Sequence, residues 1–181
     1  MGSRVKPGDV FAVQTRAGLG LLQFLGKHPE FGDVVLVASR LHDRPLIMTE
    51  ELFRRGYATF YPVRLAARTG LVEKAGHVSP ARMPRRFRRP GVVEGARIKN
   101  WILDTDSGPL VVDAPLSLQD AVIPILSIWN HEYLVDRLLS GWRPEFDAVP
   151  TPQLPAYASA ERSEGQTVTR CALTSTALCA C

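Results

Sequence analysis

The chain has 181 residues, of which 45% are hydrophobic and 22% are charged, and its formal net charge is +4. These values are typical of one globular domain that buries a core without disulfides, metal or cofactor, and the charge permits a nucleic acid or an acidic protein as partner without requiring either. No apolar run approaches the ~18 residues of a membrane span, and no signal-peptide segment is present near Met1, so we expect a cytoplasmic protein with no membrane contact.

Apolar patterns predict four strands in the first third of the chain. We place them at residues 8–15, 21–28, 33–39 and 58–65, and the continuous apolar character of the third indicates burial on both faces. Pro62 within the fourth indicates an edge strand or a bulge. Between the third and fourth strands, Thr49 as N-cap and Gly56 as a stop signal bracket a predicted short helix.

The second half of the chain contains one clear hairpin and one clear helix. Residues 67–78 fit either a short helix or a turn and a strand, and residues 79–97, with their prolines and basic side chains, fit an exposed connection. Residues 97–113 predict a hairpin, and Pro124 favours an extended conformation for residues 115–129. Helical spacing predicts a helix over residues 130–142, capped by Asn130 and ended by Gly141.

These elements predict an α+β domain over residues 4–147. We expect a bent antiparallel β-sheet, or a partly open barrel, packed against one main C-terminal helix. Residues 148–181 are rich in Pro, Ala, Ser and Thr, have little to bury, and predict a flexible, disordered tail.

Motifs for catalysis and metal binding are missing from the sequence. His131-Glu132 begins a zinc-protease pattern, but Val135 occupies the place of the second histidine, so we expect His131 to be a first-turn helix residue. The chain contains no nucleophile elbow and no phosphate loop. Asp104 and Asp106 flank a predicted hairpin turn, where Asp commonly makes local hydrogen bonds. We therefore expect a protein that is not an enzyme and holds no metal and no cofactor.

One basic run suggests a binding surface. Arg85, Arg86, Arg88 and Arg89 surround Phe87. Guanidinium groups can bind carboxylates or phosphates in pairs of hydrogen bonds, and an aromatic ring can stack on a base. Three interpretations remain open: a solvated connecting loop, a surface for a protein partner, and a surface for nucleic acid, with nucleic acid the least favoured.

Tryptophans offer a second set of candidate contacts. Trp101 lies within a predicted strand and is expected in the core. Trp129 and Trp142 lie near the ends of the predicted C-terminal helix. Both can pack in the core or anchor an interface with a partner, and the sequence leaves the two alternatives open.

The order of these blocks resembles a known family. The Gly8-Asp9 pair, the apolar strand 10–13 and the glycine-containing segment 18–26 resemble the start of the immunity protein 26 family of bacterial polymorphic-toxin systems. The segment IKNWILDTDSGPLVV is similar to the second block of that family, a Trp-bearing strand ahead of a hairpin. EYLVDRLLSGWRPE is similar to its closing helix, so the resemblance covers residues 4–147.

The resemblance implies a binding protein that neutralises a cognate toxin by direct protein–protein contact. Shape and charge complementarity would supply the specificity, with a few anchor residues contributing most of the binding energy. From charge and predicted exposure, not from the family, we expect the Arg85–Arg89 run to meet an acidic face of the toxin. A small nucleic-acid-binding barrel is an alternative.

The end of the chain suggests another alternative. All three cysteines lie in the last eleven residues, in the stretch TRCALTSTALCAC. This stretch resembles the core of mersacidin- and actagardine-type lanthipeptides, in which cysteine thiolates add to dehydrated Ser or Thr side chains to form thioether rings. The resemblance implies modification of Thr169, Cys171, Thr174, Ser175, Thr176, Cys179 and Cys181. A redox-active, metal-binding or non-functional end remains open as well.

Overall fold

A five-stranded antiparallel sheet forms the first half of the protein. The computed structural model describes residues 4–43, 47–95 and 97–148. The strands are β1 (Asp9–Thr15), β2 (Gly18–His28), β3 (Gly32–Val37), β4 (Tyr57–Phe60) and β5 (Glu73–His77), and they lie in the order β4-β3-β2-β1-β5. The sheet is open, with β4 and β5 as its edges. An antiparallel α+β fold is therefore confirmed, and the alternative of a partly open barrel is not.

The second half carries a smaller antiparallel sheet. The strands are β6 (Arg88–Pro90), β7 (Val93–Glu94), β8 (Arg97–Ile98), β9 (Asn100–Thr105) and β10 (Gly108–Asp113). The order β10-β9-β6 forms a three-stranded sheet, and β7 pairs with β8 in a separate short ladder. The predicted hairpin 97–113 is therefore confirmed as β9 and β10, and β6 adds to it from a segment expected to be an exposed connection.

Short helices lie between the strands of the large sheet and after the last strand, β10. They are α1 (Val63–Arg68), α2 (Leu118–Ala121) and α3 (His131–Leu139), with 3-10 turns at Glu50–Phe53 and Pro144–Ala148. The Tyr133 backbone N–H donates to Asn130 Oδ1 at 2.7 Å, so the predicted cap of α3 is confirmed. With nine residues, α3 is the longest helix in the described part of the chain, but it is one of several short helices rather than a single main one.

Two elements between residues 48 and 65 differ from the sequence-based prediction. The predicted fourth strand ends at Phe60, because Pro62 precedes α1 and lacks the N–H that a further ladder bond would need. The helix predicted around Thr49 is a single 3-10 turn, and the Thr49 side chain makes no capping hydrogen bond. Of the two alternatives for residues 67–78, the structure has the turn and the strand β5.

The large sheet buries side chains on both of its faces. One face packs against α1 and α3 through alternating residues such as Phe11, Leu22 and Val35. Val10 and Leu21 point the other way, towards Phe53. In β3 the neighbours Val34 and Val35 are both fully buried, which confirms the expected two-sided burial of that strand.

Candidate partner-binding surface

The basic run is divided between the surface and the interior. Arg85, Arg86 and Arg89 are exposed, as the sequence predicts. Phe87 is only 6% exposed and Arg88 is fully buried, so the expectation of an exposed connection is wrong for these two residues. The run therefore presents three arginines to solvent and uses its other two side chains to hold the segment in place.

Phe87 attaches this segment to the large sheet. Its ring centroid lies 5.2 Å from that of Phe60 at the end of β4 and 5.3 Å from that of His28 at the end of β2. Leu25 and Val34 belong to the same buried cluster. Offset and edge-on aromatic contacts of this kind add to the free energy gained from burying apolar area. Phe87 is consequently a core residue and not a surface for stacking a base.

Arg88 attaches the segment to the small sheet and to the chain that follows α2. Its Nε donates to the carbonyl of Ile123 at 2.8 Å, and its guanidinium carbon lies 4.3 Å from the centre of the Trp101 ring. Its backbone N–H donates to Pro124 O at 2.8 Å, and its carbonyl accepts from Leu126 N–H at 2.7 Å. Main chain and side chain of Arg88 thus fix the position of residues 123–126. The burial of Trp101, at 4% exposure, is as the sequence predicts.

Residues 122–124 and the basic run together form a groove. Two adjoining clefts of 430 and 240 Å3 share Pro84, Val122 and Pro124 as a common apolar floor. Val122 is 48% exposed, so this floor presents an apolar side chain to solvent. We name this surface the basic groove, and its arginines are Arg55, Arg82, Arg85, Arg86 and Arg143.

Positive charge dominates the basic groove. Glu145 is its one acidic lining residue, against five arginines. Within the described residues, none of these arginines forms an ion pair with a carboxylate. One Glu145 carboxylate oxygen is buried and has no hydrogen-bond partner in that part of the chain. The groove therefore offers guanidinium groups to an acidic partner.

Trp129 and Trp142 are core residues. They are 3% and 8% exposed, and their ring centroids lie 5.4 Å apart. Trp142 packs edge-on against Tyr57 at 5.3 Å, and the Arg137 guanidinium lies 4.4 Å from the centre of its ring. The structure thus decides for core packing between the two alternatives, and neither tryptophan contributes an exposed anchor to a partner. Burial against these two tryptophans also raises the pKa of the Tyr57 hydroxyl above its ordinary value.

Several residues of the basic groove were not identified in the sequence. Arg55, beside Arg54, and Arg143 follow short helical segments, where one or two basic residues carry no distinct signal. Pro84 and Pro124 are forty residues apart in sequence and line the same clefts only in the folded chain. Arg89 is exposed but does not line the groove. The basic run was the one sequence signal that pointed to this surface.

His131 lies in the first turn of α3, as expected, and serves a structural contact. Its Nδ1 is 2.8 Å from the hydroxyl oxygen of Tyr61, which is buried. Burial raises the pKa of Tyr61 to about 12, so this hydroxyl is un-ionised at neutral pH. In the described residues no three side chains of His, Cys, Asp or Glu come together to hold a metal ion.

Three further findings concern membrane-spanning helices, the predicted modification residues and the comparison with known proteins. No helix among residues 4–43, 47–95 and 97–148 has the length and the apolar character that crossing a membrane requires. The predicted modification residues from Thr169 to Cys181 lie outside the described residues, and their modification stays a prediction. Comparison of the chain with protein-family models, with curated proteins and with solved structures found no match.

Proposed function

We propose that the protein is a non-enzymatic binding protein of the cytoplasm that neutralises a cognate bacterial toxin by direct contact. In this proposal the basic groove meets an acidic face of the toxin. The resemblance of residues 4–147 to the immunity protein 26 family supports the class of function. The groove itself supports the proposed site of contact, because five arginines lie around its apolar floor.

The composition of the groove fits a protein partner. Arginine is enriched at protein interfaces, because its guanidinium makes several directed hydrogen bonds while its stem contributes apolar contact area. Pro84, Val122 and Pro124 supply a floor that a partner would remove from water. Charges that have no carboxylate partner within the described fold also raise the rate of encounter with an acidic surface.

Arg88 gives the groove a fixed shape. It holds residues 123–126 by hydrogen bonds from both its side chain and its main chain. A floor that is already ordered loses little conformational entropy on binding, which favours affinity. We therefore assign Arg88 a positioning role behind the surface and assign contact with the partner to Arg85 and Arg86.

The experiment is a pull-down from the native host at moderate salt, followed by a toxicity assay. We expect one stoichiometric protein partner that is encoded beside this chain, arrests growth when expressed alone and is neutralised by co-expression. Arg85→Glu with Arg86→Glu should lower the affinity for that partner at least about tenfold, since like charges then face each other. Neutralisation should be lost in parallel.

A matched control separates the surface from the overall charge. Arg16→Glu with Arg97→Glu makes the same change in net charge at two exposed sites outside the groove, and it should leave the affinity unchanged. Equal loss in both double variants would contradict the groove as the contact. Absence of any stoichiometric partner would contradict the toxin-neutralising function itself.

A further inference from the structure

A second basic cleft lies beside α1 and shares no residue with the basic groove. It has a volume of 870 Å3, within the range of about 300–1,000 Å3 that is usual for ligand sites. Its cationic side chains are Arg4, Arg64 and Arg68, and its one carboxylate is that of Asp33. We name it the α1 cleft.

Arg64 is held in a fixed orientation in this cleft. Its Nε donates to Asp33 Oδ1 at 2.7 Å, and its Nη2 lies 2.5 Å from the same oxygen. The Arg64 backbone N–H donates to Asp33 Oδ2 at 3.1 Å, so both carboxylate oxygens are engaged. The Asp33 side chain is 5% exposed and that of Arg64 is 45% exposed. A guanidinium has five N–H donors, and those not directed at Asp33 are therefore pre-oriented for another acceptor.

The other two arginines leave the α1 cleft with excess positive charge. Arg64 and Arg68 are four residues apart on α1, a spacing that places both on one helix face and makes like charges unfavourable. In the described residues neither Arg4 nor Arg68 forms an ion pair with a carboxylate. The Asp33 carboxylate compensates the charge of Arg64, so the positive charges of Arg4 and Arg68 remain uncompensated. An anion bound between the arginines would remove this repulsion.

The remainder of the α1 cleft is apolar. Leu65 is 51% exposed and Ile128 is 59% exposed, and Phe31 and Pro62 line the same cleft. Burial of these side chains by an apolar group of the ligand would be favourable. The cleft thus combines a doubly positive end with a hydrophobic wall.

We propose that the α1 cleft binds a phosphate monoester that carries an aromatic or other apolar group. A phosphate monoester has about 1.5–2 negative charges at neutral pH and three acceptor oxygens, which matches the excess charge and the guanidinium donors. A single carboxylate would leave one positive charge uncompensated. The same chemistry is found in a free nucleoside monophosphate and in a phosphorylated tyrosine side chain.

The test is a titration of the isotope-labelled full chain, followed by NMR. Phenyl phosphate is the probe, and inorganic phosphate and phenol test its two halves separately. We expect saturable shifts at the amides of Gly32, Leu65 and Ile128, with phenyl phosphate binding at least about tenfold tighter than inorganic phosphate. The affinities for adenosine monophosphate and for O-phosphotyrosine amide, measured under the same conditions, show whether the cleft prefers a nucleoside monophosphate or a phosphorylated tyrosine side chain.

Variants locate the binding in the α1 cleft. Arg68→Gln and Arg4→Gln should each weaken phenyl phosphate about tenfold, and Leu65→Ser should weaken phenyl phosphate but not inorganic phosphate. Arg16→Gln, in the exposed turn between β1 and β2, is the control and should change neither. The Arg64 side chain is left intact in these variants because its loss would leave the buried Asp33 carboxylate without its charged partner.

Three results would overturn the proposal. They are the absence of saturable binding, an affinity that Arg68→Gln does not change, and equal affinity for inorganic phosphate and phenyl phosphate. Because the basic groove is unchanged in every variant, loss of phosphate binding and loss of toxin neutralisation can be observed independently.

Discussion

At the scale of single residues, the Gly8-Asp9 pair organises the start of the large sheet. Asp9 is fully buried, and its carboxylate accepts from the Lys6 backbone N–H at 3.1 Å. Lys74 Nζ lies 2.8 Å and His77 Nδ1 3.0 Å from Asp9 Oδ1, so the carboxylate joins β1 to the edge strand β5. Gly8 has a φ of +91°, and a Cβ there would lie 2.4 Å from the carbonyl oxygen of Val78.

Asp9 makes the stability of the fold sensitive to acid. Burial alone would raise the pKa of Asp9, but hydrogen bonds from Lys74, the Lys6 amide and His77, with the charge of Lys74, lower it below the ordinary 3.8. The folded state therefore binds this proton less readily than the unfolded state. Ionised Asp9 stabilises the fold at every pH above 3.8, and this contribution is lost as pH falls through the lower folded-state pKa.

We predict that Asp9→Asn lowers the free energy of unfolding by about 1–2 kcal/mol at pH 7, because the amide keeps the shape but loses the charge-assisted hydrogen bonds. The difference between wild type and variant should stay constant down to pH about 5 and shrink towards zero in stronger acid. Urea denaturation across this pH range measures it. Asp106→Asn, in the exposed turn between β9 and β10, is the control. A difference that persists in strong acid would contradict the ionic origin.

At the scale of elements, the segment that carries the basic run is a junction between the two sheets. Phe87 packs against Phe60 of the large sheet, and Arg88 packs against Trp101 of the small sheet. The exposed Arg85 and Arg86 are placed by these two anchors. The segment consequently has one stabilising part and one part that is available for binding.

We predict that Phe87→Ala lowers the free energy of unfolding by about 3–5 kcal/mol, because it leaves a cavity among closely packed aromatic rings. Arg86→Ala, one residue away on the surface, should change it by less than about 0.5 kcal/mol. Chemical denaturation of both variants measures the difference. Comparable losses in the two variants would show that the charged surface is part of what holds the segment in place.

The division within this segment explains how far the sequence could predict the structure. Strands β1, β2, β3, β9 and β10 and helix α3 follow from local periodicity, turn residues and the Asn130 cap. The burial of Arg88 does not, because it depends on a carbonyl and an aromatic ring that are distant in sequence. A run of four arginines around one phenylalanine is locally indistinguishable from a solvated loop. Arg85 and Arg86 of the candidate site were therefore predictable, and its other three arginines and its apolar floor were not.

At the scale of the whole molecule, the net charge of +4 conceals an uneven distribution. Five arginines line the basic groove, and three line the α1 cleft. Pro124 lines the first and Ile128 the second, and four residues of chain span at most about 14 Å, so the two surfaces are close together. Their combined field would accelerate the encounter with any acidic partner.

This field gives a final prediction, which concerns the dependence of binding on salt. The association rate with the proposed toxin should fall at least about tenfold between about 0.05 M and 0.5 M salt, while the dissociation rate changes little, because exposed charges act mainly on encounter. Arg85→Gln with Arg86→Gln should flatten this dependence on salt, and Arg16→Gln with Arg97→Gln, the matched control, should leave it unchanged. Stopped-flow or surface-based kinetics measure both rates.

The same measurement separates a protein partner from nucleic acid. An oligonucleotide bound through several phosphates loses equilibrium affinity steeply with salt, with a slope of about −0.9 per phosphate contact for duplex DNA. A toxin that also buries the apolar floor around Val122 retains much of its affinity at high salt, since apolar contacts are not screened. Tight binding of an oligonucleotide with the steep slope, and no protein partner, would assign the basic groove to nucleic acid and remove the toxin from the proposal.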